Sequence, residues 1–281
     1  MLSASQIKNI LKKEHLSISK RRGQNFLVDS GIKKRIISAV DLSPGDCILE
    51  IGPGLGALTE DLSCGAAKVL AVEKDKGLIR VLRQRLAGYK NLRLIHQDIL
   101  KFDLEEEQVK VVGNLPYYIT SPIIAYLLEK QRGRIGGIFI TVQNELGRRL
   151  SAQKDNKDYS ALSVMVQYFT QAEILFSIPK RAFYPQPKVD SVFVHLALRK
   201  QPGIKVNNEQ QFFKIVRSCF QKRRKTILNC LSYNFKKEQK AFIQSVLKDS
   251  GVNLFSRAEN LSLGDFARIE QGFYQRGIRI E

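Results

Sequence analysis

Short apolar runs that end in glycine or polar residues alternate with segments of helical apolar spacing from residue 31 to residue 142. Cys47–Ile51, Lys68–Glu73, Leu92–His96, Val109–Val112 and Ile135–Val142 are too short for buried helices and rich in β-branched residues, so they predict strands. Between them, Ile32, Ile36, Ile37 and Val40 share one face of a helix over 31–41, and Leu78, Val81, Leu82 and Leu86 share one face over 76–87. Further helices are predicted at 57–63, behind a glycine loop, and at 122–130, with Pro122 in the first turn. This alternation predicts a mostly parallel, doubly wound sheet.

The rhythm changes beyond residue 150. A helix over 158–169 precedes strands at 172–178 and 191–199, joined by Phe183-Tyr184-Pro185-Gln186-Pro187-Lys188, which predicts an antiparallel addition at the sheet edge. After Lys200-Gln201-Pro202-Gly203 only helical patterns remain, at 209–220, 225–231, 237–249 and 263–271, the last opened by the capping box of Ser262 and Asp265. The chain therefore divides into an α/β domain, 1–202, and a small all-α domain, 203–281. A short basic helix over 4–13 leads the first.

In an open parallel sheet, ligands bind outside the carboxyl ends of the strands. Four successive strands here end in Gly52, Glu73, Asp98 and Asn114. Gly52-Pro53-Gly54-Leu55-Gly56 allows close backbone approach and leads into a helix N-terminus. Two cofactor classes fit it. Gly52-x-Gly54-x-x-Ala57 matches a dinucleotide fingerprint, and Gly52-x-Gly54-x-Gly56 preceded by Glu50 matches S-adenosylmethionine binding. Glu73 can accept both ribose hydroxyls in either case. Asp98 can accept an adenine amine or cap a turn. In Asn114-Leu115-Pro116-Tyr117, the amide oxygen and the Leu115 carbonyl can accept from an exocyclic amine, Pro116 aims that carbonyl, and Tyr117 can stack on the ring. The same four residues also read as a strand-to-helix turn.

The net charge of +19 on 281 residues points to a polyanionic partner, most simply nucleic acid. The charge clusters at Lys20-Arg21-Arg22 and Lys222-Arg223-Arg224-Lys225, groups suited to holding phosphates. Cys47, Cys64, Cys219 and Cys230 show no metal-like spacing and read as small buried hydrophobes in a reduced compartment. His15, His96 and His195 lack the neighbours of a triad or a zinc site, so no metal is expected. No apolar run is long enough to span a bilayer. The basic, serine-containing segment 1–22 overlaps in composition with a transit peptide, but its helix leads directly into Lys20–Leu27, so it reads as part of the mature protein. The expectation is a cytoplasmic monomer.

Taken together, Gly23-Gln24-Asn25-Phe26-Leu27, Glu50 to Thr59, Val72-Glu73-Lys74-Asp75, Asp98, Asn114 to Tyr117, Phe183 to Ser191, Arg223-Arg224-Lys225 and Arg257-Ala258-Glu259 resemble the KsgA/RsmA family of ribosomal RNA adenine dimethyltransferases, over essentially the whole chain. The resemblance implies a class I methyltransferase (Rossmann-like) fold with a helical C-terminal domain that recognises RNA. It implies S-adenosylmethionine as cofactor, held by Asn25, Leu27, Gly52, Glu73, Asp98 and Asn114, with Gln24 and Gly54 beside them. The implied substrate is a pair of adjacent adenosines near the 3′ end of small-subunit (16S) rRNA, each converted to N6,N6-dimethyladenosine within a pre-ribosomal small subunit. On this reading Asn114 and Leu115 grip the amine, Tyr117 lies under the base and Phe183 closes its other face. Lys20, Arg21, Arg22 and Lys222 to Lys225 hold RNA. The acidic stretch Leu104 to Glu107 is expected to be a solvated loop facing away. The nearest rival is the Erm type, which methylates large-subunit rRNA and tends to have Ile where this chain has Leu115. Two other classes compete: a dinucleotide-dependent oxidoreductase, disfavoured by Asn114 to Tyr117, and a non-catalytic ribosome-assembly factor, disfavoured by the intact pocket motifs.

Overall fold

The aliphatic runs form strands where the sequence predicts them, in a computed structural model that describes residues 1–17, 23–233 and 240–278. The chain falls into two compact units, residues 1–147 with 172–198 and residues 148–171 with 199–281. In chain order, the elements up to the last strand are α1 (Ala4–Lys13), β1 (Phe26–Leu27), α2 (Ser30–Val40), β2 (Cys47–Ile51), α3 (Thr59–Gly65), β3 (Lys68–Glu73), α4 (Lys76–Arg85), β4 (Leu92–His96), β5 (Val109–Asn114), α5 (Thr120–Tyr126), β6 (Ile135–Gln143), α6 (Asn144–Ser151), α7 (Ala161–Phe169), β7 (Thr170–Ile178), β8 (Phe183–Tyr184) and β9 (Ser191–Leu198).

Seven strands form one sheet in the order β4-β3-β2-β5-β6-β9-β7. The pairs from β4 through β6 are parallel, and β9 runs antiparallel to β6, as the sequence predicts for the edge. The central strands are buried on both faces, with Ile48, Leu49, Val69, Leu70, Val111, Val112, Ile138 and Ile140 all out of solvent. The chain winds outward from β2 to β4 and then returns to place β5 on the other side of β2. The order reverses between β2 and β5, which opens the crevice where such sheets bind ligands.

At that crevice Ile51 pairs with Gly113. A Cβ on Gly113 would lie 2.9 Å from the Ile51 carbonyl oxygen and 2.9 Å from Leu115 Cδ2, so only glycine fits. At the other end of β5, Lys110 Nζ donates to the Asp41 carbonyl at 2.6 Å and to Asp46 Oδ2 at 2.8 Å, tying the end of α2 to the sheet. Outside the sheet, β1 and β8 make a separate antiparallel ladder, with Phe26 opposite Tyr184 and Leu27 opposite Phe183. α1 opens on a Ser3 capping box and buries Ile7 and Leu11 in a cluster with Phe26, Leu55, Leu78 and Val81.

Several boundaries shift. α5 starts two residues earlier than predicted, at Thr120, and continues as a π-helical turn over Leu127–Gln131. α6 is absent from the sequence reading. The acidic stretch is not simply solvated: Leu104 is buried, Glu106 pairs with Lys68 at 2.7 Å and Glu107 with Arg134 at 2.9 Å.

The second unit contains α7, α8 (Glu209–Phe220), α9 (Ile227–Ser232), α10 (Lys240–Asp249) and α11 (Leu263–Gln275). The predicted start of α10 at 237 lies outside the described residues. Residues 148–171, which the sequence places in the first domain, pack in this unit. The reason is aromatic: Tyr168 stacks on Phe212 at 5.2 Å between ring centres, and Phe169 lies 5.3 Å from Phe213. Asp155 adds a backbone hydrogen bond to the Glu259 carbonyl and accepts from Asn260. Buried Glu270 accepts from the backbone N–H groups of Asn207 and Asn208 at 3.0 and 2.9 Å, fixing the entry to α8. Among the described residues no helix is long and apolar enough to cross a membrane.

Gly113→Ala is expected to lower unfolding free energy by about 1–3 kcal/mol through overpacking against backbone. Urea denaturation of the variant checks this, and an unchanged midpoint would mean that β5 relaxes freely away from β2.

Candidate active site

A cavity of about 320 Å³ opens at the carboxyl ends of β2, β3 and β5. It is built from the loop that follows each strand. After β2 the chain turns through left-handed glycines, Gly52 at φ 68° and Gly54 at φ 61°, and the space where a Gly52 side chain would sit is open. Glu73, at the end of β3, braces this loop. Its Oε2 accepts from the Gly54 N–H at 3.2 Å and its Oε1 from the Asp75 N–H at 2.8 Å. From outside, the Arg85 guanidinium donates to the Leu55 carbonyl and to Glu60.

Asp98 caps a turn, one of the two readings that the sequence left open, and it does so at the cavity wall. Its Oδ1 accepts from the Leu100 N–H at 3.1 Å and caps a short 3-10 turn over Ile99–Lys101, and its carboxylate also lines the cavity. Lys74 Nζ sits 2.6 Å from Oδ2, and this contact holds the Asp98 carboxyl below the usual carboxylate range.

Asn114, the last residue of β5, donates from Nδ2 to the Asn25 carbonyl at 2.8 Å. That bond fixes the amide, because only the NH₂ group can face a carbonyl, and it leaves Oδ1 as an acceptor. The Leu115 side chain is buried, so only its backbone can serve a ligand. Pro116 lines the cavity. The Tyr117 hydroxyl is 2.7 Å from Ser191 Oγ, a fully buried side chain at the start of β9.

The structure thus gathers Gln24, Asn25, Leu27, Gly52, Gly54, Glu73, Asp98 and Asn114 around one cavity, with Pro116 beside them. Leu115, Tyr117 and Phe183 are not among the residues that line it. Phe183 is 3% exposed and belongs to the buried cluster of Leu27, Ile32, Ile178 and Ala182, because its ladder with Leu27 turns it into the core. It is a core aromatic in this structure. Of the basic residues, Lys20, Arg21 and Arg22 lie outside the described residues. Lys222 to Lys225 are exposed, with the Arg223 guanidinium donating to the Lys157 carbonyl and to Glu259, and Lys222 Nζ 3.2 Å from the centre of the Tyr233 ring. Among the described residues no cluster of His, Cys, Asp and Glu could hold a metal ion.

The family model described as ribosomal RNA adenine dimethylase matches residues 15–274. The chain belongs to the ribosomal RNA adenine dimethylase family. It is 43% identical to the ribosomal RNA small subunit methyltransferase A of Geobacillus sp. (strain WCH70), covering 93% of this chain and 94% of that one. It is 40% identical to the protein of the same name from Oceanobacillus iheyensis, covering 96% and 95%. Among solved structures, a dimethyladenosine transferase from Plasmodium falciparum aligns with TM-score 0.77 at 28% identity, covering 91% of this chain and all of that one. The 23S rRNA methyltransferase ErmE aligns with TM-score 0.67, also at 28% identity, covering 89% and 100%. The family's fold is therefore the one the sequence predicts.

Within this family member, the sequence reading gave no site role to three residues: Glu50, Tyr118 and Ser191. Glu50 lines the cavity but is 2% exposed. Its Oε2 has no hydrogen-bond partner, and the Thr59 hydroxyl, although close enough to temper the effect, is outside bonding geometry and equally unpartnered. Burial, with a smaller push from the Glu73 charge, raises the Glu50 carboxyl from 4.5 to about 8. The only sequence signal was its place just before the glycine loop.

Between 4.5 and about 8 the folded protein holds a proton on Glu50 that the unfolded chain has lost, so this residue makes stability fall as pH rises through that window. Glu50→Gln is expected to be more stable than the parent near the top of the window, with the gain shrinking toward pH 4.5 by at most about 1.4 kcal/mol per unit. Urea titrations of both proteins across the window measure the difference, and a constant offset would rule out titration of Glu50.

Proposed function

We propose that this chain transfers methyl groups from S-adenosylmethionine to N6 of two adjacent adenosines near the 3′ end of small-subunit rRNA, giving N6,N6-dimethyladenosines, and acts as a cytoplasmic monomer on the pre-ribosomal small subunit. The observation that carries the reading is the Asn114 amide. Its Nδ2 is committed to Asn25, which leaves Oδ1 as an acceptor on a residue that lines the same crevice as Gly52, Glu73 and Asp98. The relatives at 40% identity and above are named for the small subunit, which favours that target over the large-subunit substrate of ErmE.

The residues present fit the cofactor. The open space above Gly52 admits a ligand against backbone, and the unpartnered Glu50 oxygen is an acceptor that no protein group satisfies. Glu73 would take the ribose hydroxyls, Asp98 the adenine amine, and Gln24, Asn25, Leu27 and Gly54 the remaining wall. When bound, S-adenosylmethionine supplies a sulfonium methyl group that needs no further activation.

What remains for the chain is to prepare the acceptor. An adenine amine is a poor nucleophile because its lone pair is delocalised into the ring. Asn114 Oδ1 and the Leu115 carbonyl accept its two hydrogens and so favour a pyramidal nitrogen with the lone pair localised. Tyr117, held by Ser191, supports the ring from one side. Holding the reacting atoms in line contributes on the order of 7–11 kcal/mol to such reactions. The methylated amine is cationic and strongly acidic and releases its proton to solvent, so no side chain has to act as a strong base. Glu50 and Glu73 are acids whose carboxyls burial raises, and His195 is stacked on Phe139 at 4.2 Å between ring centres. The target base must leave its helix to reach Asn114. The exposed cations Lys222, Arg224 and Lys225, with Lys20, Arg21 and Arg22, would hold RNA through phosphates.

Labelled methyl transfer to isolated small and large ribosomal subunits, followed by mapping of the modified base, tests the assignment. Label is expected on adjacent adenosines of the small-subunit RNA, and label confined to the large subunit would refute it. Asn114→Ala is expected to abolish transfer while calorimetry still detects weak cofactor binding. Near-parental dimethylation by this variant would remove Asn114 from the chemistry.

A further inference from the structure

Two tyrosines follow Pro116, and the structure treats them in opposite ways. The Tyr117 hydroxyl is bonded to buried Ser191, and burial pushes its phenol above its usual range. Tyr118 is 56% exposed and borders the cavity. Its hydroxyl has no hydrogen-bond partner among the described residues. The backbone that carries it is nevertheless fixed. The Pro116 carbonyl accepts from the Ile119 N–H at 3.1 Å and from the Thr120 hydroxyl at 2.9 Å, closing a turn around Tyr118. A Cβ on Gly23 would lie 3.8 Å from Tyr118 Cδ1, so one edge of the half-exposed ring lies near the Gly23 backbone. The arrangement is a flat aromatic surface on a rigid mount at the mouth of the crevice.

We propose that Tyr118 is a specificity-determining residue that stacks on the RNA base next to the adenine being methylated. The inference rests on the function proposed above. When one of two adjacent adenosines turns into the crevice, its neighbour loses a stacking partner. An aromatic face at the mouth restores that stacking. The basic clusters cannot substitute, because contacts to phosphate position the strand without engaging bases. A tyrosine has few rotamers to lose, so it takes a base at low entropic cost. Stacking on such platforms is tolerant of base identity, so Tyr118 selects for an unpaired, stackable neighbour and not for a particular base.

The test compares Tyr118→Ala, Tyr118→Leu and Tyr118→Phe with the parent in three measurements: direct binding to unmethylated small ribosomal subunits without cofactor, KM and kcat for those subunits, and cofactor affinity by calorimetry. The Ala and Leu variants are expected to bind subunits about tenfold more weakly and to raise KM by a similar factor, while Phe retains parental values. Cofactor affinity and thermal stability are expected to be unchanged in all three. Equal behaviour of Leu and Phe would overturn stacking in favour of plain apolar contact. Loss of cofactor affinity with subunit binding intact would make Tyr118 part of the cofactor pocket instead. If the parent methylates small subunits and Tyr118→Ala matches it in every measurement, the inference fails alone. If the parent neither binds nor methylates them, it fails together with the proposed function.

Discussion

Ile51 and Gly113 lie side by side at the carboxyl ends of β2 and β5, and the close approach of their backbones joins the two halves of the crevice. It places the left-handed loop that begins at Gly52 next to Asn114, although these strands are separated in the chain by β3, β4 and the helices between them. The closeness requires Gly113, since any Cβ would meet the Ile51 carbonyl. A residue without a side chain near the end of one strand therefore lets the amide of the next residue stand close to the glycine loop. Lys110 secures the opposite end of the same strand by binding the Asp41 carbonyl and Asp46.

Glu50, Glu73 and Asp98 all line the cavity, and the protein satisfies each differently. Glu73 is occupied by backbone N–H groups and acts as a brace for the loop. Asp98 is occupied by Lys74 and the Leu100 N–H and stays ionised. Glu50 has one oxygen with no partner and is held toward its protonated form by burial. Loop geometry, ion pairing and desolvation therefore divide chemically similar groups into a structural acid, an ionised acceptor and an acid whose charge depends on what enters. A cavity with one unsatisfied buried acceptor is suited to a ligand that carries a cation.

Much of this was legible in the sequence because it depends on backbone rhythm. Strand runs, glycine spacing and the polar residue at each strand end place Gly52, Glu73, Asp98 and Asn114 on one edge without any knowledge of packing. What the sequence concealed depends on tertiary burial. Phe183 sits in a proline-rich segment that reads as a pocket wall, but its ladder with Leu27 turns it into the core. Glu50 looks like one residue of a buried strand, and only the cavity beside it makes it distinctive. Tyr118 cannot be told from Tyr117 by spacing, since only the bond to Ser191, far along the chain, separates a clamped ring from an exposed one. Residues 148–171 read as a continuation of the α/β pattern, whereas Tyr168 and Phe169 commit them to the aromatic cluster of α8.

The ladder between β1 and β8 carries a consequence for biosynthesis. Residues 23–27, which line the crevice and supply the Asn25 carbonyl that orients Asn114, leave the ribosome before every strand of the large sheet. Phe26 and Leu27 pair with Tyr184 and Phe183, which emerge after six strands of the large sheet and most of the helices around them. During vectorial synthesis the N-terminal wall therefore waits, unpaired, while the parallel sheet assembles behind it. This wall of the crevice is made early and paired late, and a nascent chain released before residue 183 would carry every strand-end residue of the site and still lack the partner strand of Phe26 and Leu27.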